Sequence, residues 1–277
     1  MYVHAALLCA ASIGVSTSQA ALVRSFDASA DTAGDDIWEN TGGNGAAAQN
    51  YTFGAPLSPT VVNDPAAPGI TSVYEFADGP ALGKGWAFFG QAGGGRANNP
   101  ANTFELIFRL DDVSGTHVLM EIGGAGAGVS MVMQGDTLTW NTNVGGNADP
   151  TIAINASGLG TGWHYAVGVW NRNTLTTSFY LDGQLVGTEA LAGSTTGWVG
   201  GNEGTLGGIN PTQVDSVATS FDLSGATTFD GGIALFNYWN EELGAQTIED
   251  NFNAVLIPTP GTALALLGVA AAARRRR

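Results

Sequence analysis

Trp163-His164-Tyr165-Ala166-Val167-Gly168-Val169-Trp170 opens the stretch that decides the fold, which runs on to Gly187 as WHYAVGVWNRNTLTTSFYLDGQLVG. Its first eight residues alternate with period two, and their large side chains suit a strand held between two packed layers. Residues 175–181 and 184–188 read as two further strands. Between them stands Asp182-Gly183, a dipeptide favoured where both residues of a hairpin turn need positive φ.

Working outward, Thr103-Phe104-Glu105-Leu106-Ile107-Phe108-Arg109-Leu110 predicts a strand, as do residues 118–122, 129–133 and 137–140. Gly135-Asp136 separates the last two and signals a hairpin. Downstream, residues 229–239 form the last long predicted strand. Residues 245–252 predict a short helix, with Ile248 and Phe252 four apart on one face. From residue 22 to 256 there is no linker, charge block or clear repeat. Many evenly spaced strands with glycine-rich turns predict one all-β domain, an antiparallel two-sheet sandwich.

Composition agrees with that reading. Glycine accounts for 41 of 277 residues, about twice its usual share of roughly 7%, and punctuates the strands. A hydrophobic content of 44%, with seven Trp and twelve Phe, is too rich for a disordered chain. The formal charge is −15, but four of the nine bases are the terminal Arg274, Arg275, Arg276 and Arg277. Everything before them holds five bases against 24 acids, a net of −19. So acidic a body repels phosphate backbones, which excludes a nucleic-acid partner.

The two ends read as addresses. Residues 1–20 carry an apolar run followed by Ser18-Gln19-Ala20, the pattern of a secretory signal cut by signal peptidase after Ala20. Cys9 falls inside it, so the mature chain is expected to have no thiol or disulfide. At the other end, Pro258-Thr259-Pro260-Gly261 precedes a short apolar stretch, expected to be a terminal hydrophobic helix, and then the four arginines. Those arginines would remain cytoplasmic and leave the body outside. Residues 258–277 resemble a PEP-CTERM sorting tail, with Thr259 in place of the usual central Glu. The resemblance implies transient membrane anchoring and removal by an exosortase-type sorting enzyme. Together the ends predict export to the envelope or extracellular matrix of a Gram-negative-type bacterium.

Residues 163–187 also resemble the Trp-His strand, hairpin and Tyr-x-Asp-Gly turn of laminin-G-like, concanavalin-A-like domains. FDGGIALFNYWNEELGAQTIEDNF (229–252) is similar to that family's closing strand and short helix. FELIFRLDD, followed by VLMEIGGAGAGVSMVMQGDTLTW, resembles its central strands. The resemblance covers residues 22–256, weakly before Ala101. It implies a jelly-roll sandwich of a kind found in carbohydrate-binding, adhesive and some catalytic proteins.

Candidate chemistry is sparse. A retaining glycosidase needs two carboxylates about 5 Å apart, yet Glu105 stands alone on its strand and Asp111-Asp112 point apart. Glu241-Glu242 and Glu249-Asp250 read as a solvated acidic face. Within residues 22–256 the histidines are His117, read as a turn residue, and His164, which the resemblance places in a structural role. No Gly-x-Ser-x-Gly elbow is present, and Gly123–Gly128 reads as a turn. No catalytic residue and no cofactor are assigned. A structural Ca²⁺ is the one metal considered, because Asp/Asn/Gly loops supply its oxygens. Asp31, Asp35, Asp36, Asn202, Glu203 and Asp215 are its candidates, while Ala234 occupies the position where the family often places a ligating Asp.

A sugar site needs an exposed aromatic ring beside amide and carboxylate groups. Trp198, Asn202, Glu203 and Asn210 form the preferred candidate loop; Trp38, Glu39 and Asn40 form the other. Core packing is the alternative for either Trp. The leading expectation is an exported, non-catalytic surface or matrix protein that binds extracellular polysaccharide or adheres through it. A polysaccharide hydrolase or lyase, and a structural surface protein without a ligand, are the alternatives.

Overall fold

The structure is a computed structural model and describes residues 22–31, 34–42, 50–54, 56–76, 81–82, 101–124, 127–143, 151–191, 204–208 and 229–257. Its strands begin with β1 (Leu22–Asp27), β2 (Ile37–Trp38), β3 (Tyr51–Thr52), β4 (Thr60–Val61), β5 (Ser72–Glu75) and β6 (Ala81–Leu82). There follow β7 (Ala101–Leu110), β8 (Thr116–Gly124), β9 (Ala127–Gln134), β10 (Thr137–Asn143) and β11 (Thr151–Asn155). The series closes with β12 (Trp163–Asn171), β13 (Thr176–Leu181), β14 (Gln184–Ala190), β15 (Thr205–Leu206), β16 (Gly231–Trp239) and, among the described residues, one helix, α1 (Ala245–Leu256).

The first sheet runs β14-β13-β12-β7-β16-β5-β4, with β1 also paired to β16. The second runs β11-β10-β9-β8-β15-β6-β3-β2. Neighbours are antiparallel throughout both. This is the expected two-sheet jelly-roll sandwich with a short C-terminal helix. The expected terminal hydrophobic helix lies outside the described residues.

Alternation decides which side chains meet between the sheets. Phe104, Leu106, Phe108 and Leu110 of β7 face inward with Ala166 and Trp170 of β12, toward Met131, Met133, Leu138 and Trp140 of the second sheet. Gly168 shares the inward side of β12. A Cβ there would lie 2.5 Å from the Trp140 ring, so glycine lets the indole rest against the backbone. Trp140 Nε1 donates to Thr177 Oγ1 at 2.7 Å, and that hydroxyl donates to the Val169 carbonyl at 2.9 Å. The hydroxyl thereby satisfies an indole N–H buried far from water.

A second apolar layer lies on the other face of the first sheet. Ile107, Tyr165, Val167, Val169 and Ala234 pack there with Ile248 and Leu256 of α1. Phe252 lies over Tyr165 with ring centroids 6.3 Å apart. The β13–β14 turn has Asp182 at φ 49° and Gly183 at φ 77°, the two positive angles that Asp-Gly predicts. β16 pairs irregularly between Ile233 and Leu235, so Ile233 and Phe236, three apart, both reach the inter-sheet core.

Candidate functional site

Trp198, Asn202, Glu203 and Asn210 lie outside the described residues, as do Ser18, Ala20, Asp215 and residues 258–277. Trp38 requires a correction, because it is fully buried and offers no sugar platform. β2 turns its indole into the core, where it stacks on Phe53 at 6.4 Å and tilts against Tyr74 at 4.8 Å. Glu39 is exposed, and its N–H donates to Asp31 Oδ2 at 3.2 Å. Asn40 Oδ1 accepts from the N–H groups of Ser25 and Gly42 at 3.0 and 2.9 Å. Asn40 thereby ties the loop back onto β1.

The other candidates for chemistry have local partners. Asp31 is buried, and its Oδ2 also accepts from the Tyr74 hydroxyl at 2.8 Å. Burial, then that bond and the Asp31 charge, push the Tyr74 phenol upward and keep it neutral. Asp35 Oδ1 caps the N–H of Ile37 at 2.8 Å. Among the described residues, no three or more His, Cys, Asp or Glu side chains converge on a metal position. His164 is held by Asp182 Oδ2 at 3.0 Å and the Leu159 carbonyl at 2.8 Å, while Asp182 Oδ1 accepts the Tyr165 N–H at 2.9 Å. One turn carboxylate thus clasps both residues of the His-Tyr pair. His117 Nε2 lies 2.6 Å from the Ser114 carbonyl, and its Nδ1 faces the Asp230 N–H at 3.4 Å.

Glu105 is buried, which its sequence setting did not reveal. It lies on the outer face of β7 beneath α1. The Tyr165 hydroxyl and Trp239 Nε1 donate to its carboxylate. So do Asn237 Nδ2 at 3.2 Å and Asn251 Nδ2, from α1, at 2.9 Å. Burial, followed by the Glu105 charge, drives the Tyr165 phenol far up, so it remains a donor. Four donors fix this carboxylate between sheet and helix, away from solvent. Its signal was the shared outward parity of Glu105, Tyr165, Asn237 and Trp239, readable only once three strands are in register.

Further along the same outer face, β12, β7, β16 and β5 align Trp163, Arg109, Gly232 and Glu75 in one cross-strand row. Arg109 reaches past Gly232, and its Nη2 donates to both oxygens of Glu75 at 2.9 and 3.0 Å. Its Nε donates to Asp111 at 3.0 Å. The guanidinium also sits 5.4 Å from the centroid of the Trp163 ring, within cation–π range. A Cβ at position 232 would stand 3.1 Å from Glu75 Oε2 and 2.5 Å from Val73 Cγ2, so glycine keeps the path clear. The row opens into a surface groove of about 360 Å³, bounded opposite by Thr60, Val61, Val62, Asn63, Asp64 and Pro65. Asp64 shapes that wall by accepting the Ala66 N–H at 2.8 Å.

The outer face of the second sheet carries a different row. Thr205, Glu121, Ser130, Asn141 and Thr151 align across β15, β8, β9, β10 and β11. Asn141 joins Ser130 at 3.2 Å and Thr151 at 2.9 Å. Glu121, Ser130 and Asn141 are buried.

Sandwich and closing helix place the molecule among the jelly-roll β proteins. A sequence profile of the concanavalin A-like lectin/glucanases superfamily matches residues 91–249, and the chain belongs to that family. No curated protein matches it in sequence. Solved structures with a similar fold include the binding domain of botulinum neurotoxin DC in complex with rat synaptotagmin II, at 13% identity and a TM-score of 0.57. The botulinum neurotoxin serotype D binding domain is similar at 11% identity and a TM-score of 0.56. Another, at 13% identity and 0.55, comes from work describing type C entry through two ganglioside molecules. Each likeness covers 84% of this chain and 51% of the other, so the chain spans about half the length of these structures. At such identities the likeness is one of fold alone.

Proposed function

We propose that this protein is an exported, non-catalytic surface or matrix protein that binds or adheres to extracellular polysaccharide. The concanavalin A-like sandwich carries the reading, since the family matched is one of lectins and glucanases. The local chemistry supports it. Glu105 is enclosed by four donors, and the described histidines are tied into turns. Acid–base chemistry on a glycosidic bond needs a pair of carboxylates poised at that bond. Of those lining the open groove, Glu75 is held through both oxygens by Arg109, and Asp64 accepts the Ala66 N–H. Export rests on the signal pattern ending at Ala20 and the tripartite tail of residues 258–277.

Retention of the purified protein on a panel of immobilised polysaccharides tests the binding reading. Retention on at least one is expected; passage through all of them would favour a structural protein without a ligand. For the address, deleting residues 258–277 is expected to release soluble protein into the medium. Unchanged envelope retention would contradict the sorting role.

A further inference from the structure

We propose that the groove beside Trp163, Arg109 and Glu75 is the glycan-binding site, and that it takes an uncharged sugar segment rather than an acidic one; this rests on the polysaccharide-binding reading above. A pyranose ring presents an apolar C–H face and a rim of hydroxyls that both donate and accept. The groove offers partners for each. Trp163 and Val62, both partly buried and packed on the outer apolar layer of the first sheet, supply apolar surface to the groove. Glu75 and Asp64 supply acceptors, and the Asn63 amide supplies both roles. The volume of about 360 Å³ falls in the lower part of the range for small-molecule sites, roughly 300–1,000 Å³.

Charge selects the class of sugar. Among the described residues Arg109 is the cation lining this groove, and two carboxylates, Glu75 and Asp111, already engage it. Asp64 adds a further negative charge to the opposite wall. A uronate or sulfated sugar would therefore bring its anion to a net negative surface, on a chain already at −15. Hydroxyls of an uncharged sugar meet no such repulsion and can donate to the same carboxylates. The ion pairs also hold the groove in shape before a ligand arrives, because Arg109 braces Trp163 on one side and Glu75 on the other. Such preorganisation lowers the ordering cost of binding.

Titration calorimetry of the full chain tests the assignment, with cellohexaose, laminarihexaose, maltohexaose and mannohexaose set against hexagalacturonate and an alginate hexamer. At least one uncharged oligosaccharide is expected to bind, about tenfold or more tighter than either uronate. Thr60→Glu lies on an exposed rim of the groove, on the face that Glu75 shares, where the fold is not at stake. It should weaken that binding by at least about tenfold, and Trp163→Phe should weaken it by a smaller factor with the melting temperature nearly retained. Undiminished binding by both variants would overturn the groove while leaving polysaccharide binding in place. Tighter binding of a uronate would overturn the charge argument. Failure of the unaltered chain to bind any of the six, with retention on another polysaccharide, would overturn the groove's ligand class; no retention on any polysaccharide would remove both readings.

Discussion

Gly168 shows how much of this molecule depends on single side chains, or on their absence. The Trp140 ring occupies the space that a Cβ would take, and both belong to a close-packed interior. Gly168→Ala is expected to lower unfolding stability by about 1–3 kcal/mol, read as a lower urea midpoint with the slope unchanged; an unchanged midpoint would show that the indole can move aside. Asp112 makes a gentler prediction. The Ser114 hydroxyl, at 2.6 Å, and the Ser114 N–H, at 2.8 Å, hold its carboxyl below the ordinary value. A lowered folded value means the turn's stabilisation is complete above the unfolded pKa of about 3.9, and is lost as pH falls through the lowered folded value. A carboxyl titration followed by NMR should show Asp112 shifting upward in Ser114→Ala, and no shift would remove the hydroxyl from the account. Residue-level burial was the hardest feature to read in sequence. Trp38 beside Asp35, Asp36 and Glu39 has the composition of an exposed loop, yet two residues of strand suffice to turn the ring inward.

At the scale of elements, reading succeeded where alternation is long and failed where it is short or interrupted. β7 through β10, β12 through β14 and α1 all lie where the sequence pattern predicts them, because each carries enough periodic residues to register a face. β2, β3 and β4 have two residues each, too few to show a period. In β16 the irregularity after Ile233 shifts the inward residues by one, which no regular period anticipates. The contact between α1 and the first sheet gives an element-level prediction. Removing the Glu105 carboxylate leaves the Tyr165, Asn237, Trp239 and Asn251 donors without their shared acceptor. Glu105→Ala is expected to cost about 3 kcal/mol. Amide exchange should quicken in α1 more than in β9 and β10, since Asn251 joins the helix to that carboxylate. Equal acceleration in all three would mean that Glu105 supports the whole sandwich rather than the helix contact.

For the whole molecule, the two outer faces have different characters. The first sheet carries the helix and, beside it, an open groove crossed by the Trp163–Arg109–Gly232–Glu75 row. The second carries the row centred on buried Glu121, Ser130 and Asn141. Neither row is visible in any one segment, because each arises from the register of four or five strands brought together by the jelly-roll order. The fold class was therefore legible from local patterns, whereas the groove was not: its residues come from positions 60 to 163 and meet only after folding. On the proposed function, this scaffold holds polysaccharide without cutting it. Mass spectrometry of the soluble sugars, after prolonged incubation of the full chain with the polysaccharide that retains it, separates holding from cutting. Retained protein and an intact polymer are predicted; release of oligosaccharides would contradict that function and make the protein an enzyme.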